Sequence, residues 1–143
     1  MRLFGSRRLP PEARKTLAVE PGERVLCHAA TADGEYVVAT DRALHLPGGV
    51  RLPWHRVRRA AWDETGLDLR GTDGARYRIG LPDPGPLPET VQERVTAAIL
   101  VNRYVRLGGR GGVRLVARRV PGSESPEWEF VFDEGLDPAD PRL

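Results

Sequence analysis

"PETVQERVTAAILVNRYVRLGG", residues 88–109, is the stretch whose reading decides the fold. Pro88 suits a first helical turn, and Glu89 favours the positive N-terminal end. Gly108-Gly109 is a C-terminal stop. Val91, Val95, Ala98, Ile99 and Val105 fall on one stripe at 3.6-residue spacing, which predicts an amphipathic helix over 88–107. The second half, "AAILVNRYVRL", puts Leu100, Tyr104 and Leu107 on the opposite side as well. A helix apolar on two sides is covered on two sides. The cover is either the segment that follows or a second copy of the chain. Asn102 falls in the apolar stripe, and a buried Asn must be hydrogen-bonded, so it is expected to fasten a strand end.

Working outward, "VRLVARRV" (113–120) and "EWEFVF" (127–132) read as a C-terminal β-hairpin joined by the loop "PGSESP". Upstream of the helix, "LPDPGPLPE" (81–89) is a linker with four prolines. Before it come short β-rich runs: 24–31, 35–41, 43–46, 50–62, 67–71 and 76–81. Asp33-Gly34 and Asp73-Gly74 carry the type I′ hairpin signature, and Gly48-Gly49 and "DETG" (63–66) mark two more turns. Leu67 and Leu69 alternate with Asp68 and Arg70, and Tyr77 and Ile79 with Arg76 and Arg78. A period of two puts apolar groups on one face and charges on the other. Pro53 cannot donate to a ladder, so the long run at 50–62 is expected to leave one sheet there and enter a second.

The fold class is therefore mainly β (α+β). A meander of six or seven strands is followed by one helix that plugs the open end of a barrel, with an extra C-terminal hairpin. The expected organisation is a basic arm (1–16), a barrel with its capping helix (17–107), the hairpin (110–133) and an acidic tail (134–143).

This order resembles the bacterial form of the pleckstrin-homology-like (PH-like) superfold. The resemblance rests on "YVVATDRALHL", "VRLPWHRVRRAAWD" and "LDLRGTDGARYRIGL", with Thr40, Asp41, Arg42, Leu52, Pro53, Val57, Leu67, Leu69, Asp73, Gly74, Tyr77 and Ile79 at the matching positions. It covers roughly residues 17–107. The Arg/Ala/Pro-rich, Lys-poor composition is similar to that of actinobacterial proteins. The resemblance implies binding and no catalysis: a protein-interaction or scaffolding module, without a cofactor. Its partner is another protein or a second copy, docked through the helix or the hairpin. Phosphoinositide binders of the family hold Lys/Arg clusters on the first two strands and their loop. Here that region, "CHAATADGEYVV", has no Lys or Arg and carries Asp33 and Glu35, which argues against a lipid headgroup.

"WHRVRRAAW" (54–62) is the candidate binding strand. As one strand it sets Trp54, Arg56, Arg58, Ala60 and Trp62 on one face. Trp54, Arg56, Arg58 and Trp62 could then meet a protein, since Trp and Arg are enriched in interface hot spots. Leu100 and Tyr104 of the helix are the other expected contacts. The plainer reading is a barrel corner, with Trp rings on the core edge and Arg stems along the surface. The alternative function is an Arg-mediated nucleic-acid or anionic-ligand binder using Arg56, Arg58, Arg59 and the N-terminal arm.

Charge is nearly balanced, at +2, but unevenly spread. Residues 1–15 carry five cations against Glu12, and residues 127–143 carry six acids against Arg142. With 40% hydrophobic and 29% charged residues the chain reads as soluble and globular, and with one cysteine and no signal-like apolar stretch it is expected in the cytoplasm. His28, His45 and His55 show no metal-ligand spacing, so no metal is expected. Cys27 sits in an apolar run and reads as a buried, inert thiol.

Overall fold

The computed structural model describes residues 10, 11, 17, 19–109, 111–121 and 123–133. The expected acidic tail lies outside them, as does the expected basic arm apart from residues 10 and 11. The chain is mainly β: the described residues from Val25 onward form three antiparallel sheets and one helix, and the chain divides into two compact units, Met1–Thr96 and Ala97–Leu143.

In the first unit, β1 (Val25–Ala30), β2 (Tyr36–Thr40), β3 (Ala43–Leu46) and β4 (Val50–Pro53) form a four-stranded meander. The chain then makes a 3-10 turn, Trp54–Arg56, and enters a three-stranded meander of β5 (Val57–Asp63), β6 (Gly66–Gly71) and β7 (Arg76–Gly80). Pro53 ends β4 and thus marks the change of sheet, as its missing N–H requires. Helix α1 (Leu87–Ala97) follows the proline-rich linker. The two sheets are not hydrogen-bonded to each other along their strands, so the expected closed barrel is not formed by the described residues.

Both Asp-Gly turns are built alike, and not as expected. Gly34 N–H donates to Thr31 O (3.1 Å) and Thr31 N–H to Glu35 O (2.8 Å); Gly74 donates to Gly71 O (3.0 Å) and Gly71 to Ala75 O (2.8 Å). Only the glycines have positive φ, 83° at Gly34 and 89° at Gly74, whereas a type I′ turn needs it at the aspartates too. These are type I turns closed by a left-handed glycine, which leaves each Asp in relaxed backbone.

The register fixes what each sheet buries. Cys27, Ala29, Val37, Ala39, Leu44, Leu46 and Leu52 share one face of the first sheet, and Leu67 and Leu69 align with Ile79 and Tyr77 on one face of the second. Leu44, Leu67, Leu69, Val37 and Val57 are fully buried. On α1, Leu87, Val91 and Val95 form the buried stripe at i, i+4, i+8. Thr90 on the same helix hydrogen-bonds the Cys27 thiol, but burial dominates and pushes that thiol's pKa up, which suits an inert group.

The opposite face of the first sheet is closed by the segment before β1. The Glu23 side chain is fully buried there. Its carboxylate accepts from Thr40 Oγ1 on β2, His45 Nε2 on β3 (2.8 Å) and an Arg51 Nη2 on β4 (3.1 Å), and from the Glu20 backbone N–H (2.8 Å). One carboxylate thereby ties three adjacent strands. Burial raises its pKa, but the Thr40 hydroxyl, the Glu20 amide, His45 and Arg51 outweigh that and bring it down to about 2.

The second unit overturns the expected long helix. Helix α1 stops at Ala97, and residues 99–106 form strand β8 (Ile99–Arg106). β8 pairs with β9 (Gly112–Arg118), which pairs with β10 (Glu127–Phe132), so the expected hairpin is a three-stranded sheet. Helix formers dominate up to Ala97. Beyond it Ile99, Val101, Tyr104 and Val105 favour a strand, and pairing along β9 satisfies their backbone groups. The organisation changes accordingly: residues 99–106 belong to the C-terminal sheet and not to a helix.

Candidate functional site

A cleft of about 490 Å³ opens in the first unit, lined by Thr31, Ala32, Asp33 and Glu35, by Leu46, Pro47 and Val50, and by all five residues of β7. Three local features position it. The type I turn after β1 brings Asp33 and Glu35 to one rim, and the Glu35 amide is held there by Thr31 Oγ1 (3.0 Å). The "PGGV" turn between β3 and β4 presents Pro47 and Val50. β7 forms the opposite wall.

β7 is an edge strand: it pairs with β6 on one side and, among the described residues, with no strand on the other. Its odd positions, Tyr77 and Ile79, share the buried face with Leu67 and Leu69, while Arg76 and Arg78 stand on the outer face. The cleft is thus where the two sheets part. Its walls are apolar (Leu46, Pro47, Val50, Tyr77, Ile79), and its rims carry opposite charges, Asp33 and Glu35 against Arg76 and Arg78.

The arginines are oriented by neighbouring acids. Arg76 forks onto Asp68 through Nε (3.1 Å) and Nη2 (2.9 Å). Arg78 reaches Asp68 and Asp63, both at 3.4 Å, and Thr65 Oγ1 at 3.3 Å. Asp63 caps its own turn, accepting from the Thr65 hydroxyl (2.6 Å) and the Thr65 and Gly66 amides. Those bonds, the hydroxyl foremost, hold its carboxyl at about 2. Asp68 is lowered chiefly by the Arg76 hydrogen bond.

The stretch 54–62, expected as one strand, is a 3-10 turn followed by a strand. Trp54 and Arg56 lie in the 3-10 turn and only Arg58 and Trp62 in β5, so the four side chains do not share one strand. Trp54 is 5% exposed, and its Nε1 donates to Thr40 O (2.9 Å), which makes it a core residue. Arg56 and Arg58 are exposed, and Trp62 is half-buried on the Leu67 and Ile79 side. Arg58 Nη2 donates to Thr72 O (3.3 Å). Leu100 and Tyr104 are likewise on a strand and not a helix. Leu100 sits at the β8 irregularity between Ile99 and Val101. Tyr104 donates its hydroxyl to Asp133 Oδ2, and the Arg114 guanidinium lies 5.6 Å over its ring. Asn102, expected on the helix, accepts from Arg114 Nη1 (2.7 Å) across β8 and β9.

The histidines are dispersed. His45 binds Glu23, His28 meets Tyr36 edge-on at 5.8 Å, and His55 is buried in the 3-10 turn. Among the described residues no three His, Cys, Asp or Glu side chains are grouped to hold a metal ion. No helix of the described residues is long and apolar enough to cross a membrane.

Leu46, Val50, Tyr77 and Ile79 were legible in the sequence only as strand core. Their role in the cleft follows from β7 being an edge, which no local pattern announces. Comparison with protein-family models, with curated proteins and with solved structures finds no match.

Proposed function

We propose that the chain is a non-catalytic protein-interaction module of PH-like type, and that its cleft takes an extended peptide segment of a partner protein. A four-stranded meander, a three-stranded meander and one helix, in that order, support the PH-like reading. The observation that carries the binding reading is the edge of β7. All five of its residues line the cleft, so its unpaired backbone edge borders the space a ligand would fill. A peptide added there gains main-chain hydrogen bonds, and its alternate side chains meet either the apolar wall or the charged rims. The volume of the cleft falls in the range of ligand sites, and its charged rims supply polar groups beside the apolar wall.

Selection of a displayed peptide library on the full chain tests this. Selected peptides are expected to show a period-two pattern and to lose binding when alternate backbone amides are N-methylated. Val50→Arg, placing a cation on the apolar wall, is expected to weaken them about tenfold or more. Peptides that bind Val50→Arg and the native chain equally well would refute the assignment, as would a selection with no enrichment.

A further inference from the structure

The outer face of the second sheet carries a row of arginines in register. Arg59 on β5 stands opposite Arg70 on β6, and Arg70 opposite Arg76 on β7. The β5 ladder is irregular between Val57 and Arg59, where two residues advance against one on β6. That bulge adds Arg58 to the same end of the strand, and Arg58 and Arg59 are both exposed. Like charges directly opposite one another in a sheet destabilise it. Elsewhere on this face cations meet acids: Arg76 forks onto Asp68, and Arg78 reaches Asp68 and Asp63. Arg59 and Arg70, by contrast, have no hydrogen bond or ion pair among the described residues; Arg70 acts only at a distance, helping to lower the Asp68 carboxyl. Adjacent strands lie about 4.8 Å apart, so the row spreads over about 10 Å.

We infer that this row is a docking surface for carboxylate side chains of an acidic peptide segment. Guanidinium forks match carboxylates two bonds at a time, and the side-by-side forks of Arg59 and Arg70 leave that capacity unused among the described residues. No aromatic side chain occupies this face: Trp62 and Tyr77 point to the other, with Leu67 and Leu69. Single-stranded nucleic acid would want such rings for base stacking. Arg76, at one end of the row, also lines the cleft, but Arg59 and Arg70, which the inference rests on, do not.

The test measures fluorescence anisotropy of a labelled oligoglutamate of about ten residues against the full chain, with a DNA oligonucleotide of equal charge as the second probe. The native chain is expected to bind oligoglutamate more tightly than DNA. Arg70→Glu is expected to weaken oligoglutamate about tenfold or more, because it turns the centre of the row against the ligand. The same variant converts two like-charge neighbours into two opposite pairs, so its melting temperature is expected to equal or exceed that of the native chain. Arg59→Gln with Arg70→Gln gives the same loss without introducing an acid, and stands in should Arg70→Glu fail to fold. Absence of oligoglutamate binding by the native chain overturns the inference. So does equal binding by the folded variants, or a preference for DNA.

Discussion

The His45 imidazole and the Glu23 carboxylate meet at 2.8 Å with both side chains buried, 6% and 0% exposed. His45 belongs to β3, whereas Glu23 precedes β1, so the contact pins an irregular segment to the sheet it covers. Thr40 and Arg51 complete the shell, and Arg51 also reaches Glu20 at 3.3 Å. A buried carboxylate is tolerable only when so satisfied.

Glu23 makes stability depend on acid. Its carboxyl is depressed in the folded chain, to about 2 from an ordinary 4.5. A depressed carboxyl contributes stability that is fully present above the ordinary value and is lost as pH falls through the folded one. The contribution is on the order of 3 kcal/mol, and it should fade between about pH 4.5 and about pH 2. Urea unfolding at neutral and acidic pH checks this. Glu23→Gln should cost about 3 kcal/mol near neutrality, and its deficit against the native chain should shrink on acidification.

Trp54→Phe separates a core tryptophan from a binding one. The Nε1 bond to Thr40 O would be lost inside the first sheet, leaving a buried acceptor short of its donor. A cost of about 1–3 kcal/mol in denaturant unfolding is expected, with affinity for any cleft-bound peptide unchanged in the folded fraction. Unaltered stability together with lost affinity would restore Trp54 to the binding surface.

Leu69→Ala and Phe130→Ala should differ sharply. Leu69 is fully buried in the first unit, and its truncation should cost about 2–5 kcal/mol. Phe130 stands 58% exposed on β10, in the cross-strand row Arg103, Leu115, Phe130, and its loss should cost less than about 1 kcal/mol. Chemical denaturation of the two variants reads the contrast.

Gly66→Ala tests the tightest point of the second sheet. Gly66 has φ +148°, and a Cβ there would sit 2.1 Å from Ile79 O and 2.8 Å from Leu81 N, both backbone atoms. Neither can yield cheaply. The variant should lose at least about 2 kcal/mol, seen as a lowered melting temperature.

Much of the first unit could be read from local pattern. The alternation at 67–70 and 76–79 named the buried residues, and the Asp-Gly pairs located two hairpins, although their backbone took the less strained turn. Half of the arginine row was also within reach. The "DETG" turn pairs Asp63 with Gly66, and counting back from it sets Arg59 against Arg70. The other half was not: a type I′ turn at Asp73-Gly74 would set Arg70 against Tyr77, and the type I turn with its extra glycine sets it against Arg76.

Other features were decided only when the chain closed on itself. Residues 99–106 suit a stripe at 3.6 and a ladder at 2 equally well, because apolar groups occur on both faces of either. The partner strand β9, which supplies their backbone hydrogen bonds, settled the choice. The Glu23 shell joins residues up to 28 positions apart, and the cleft lies along β7, which among the described residues has a neighbouring strand on one side only. Periodicity and turn chemistry act over a few residues, so the sequence by itself determined most strands and where the chain turns. Which side chains meet across strands distant in sequence, and which strand edge stays open, depended on packing that only the tertiary structure supplies.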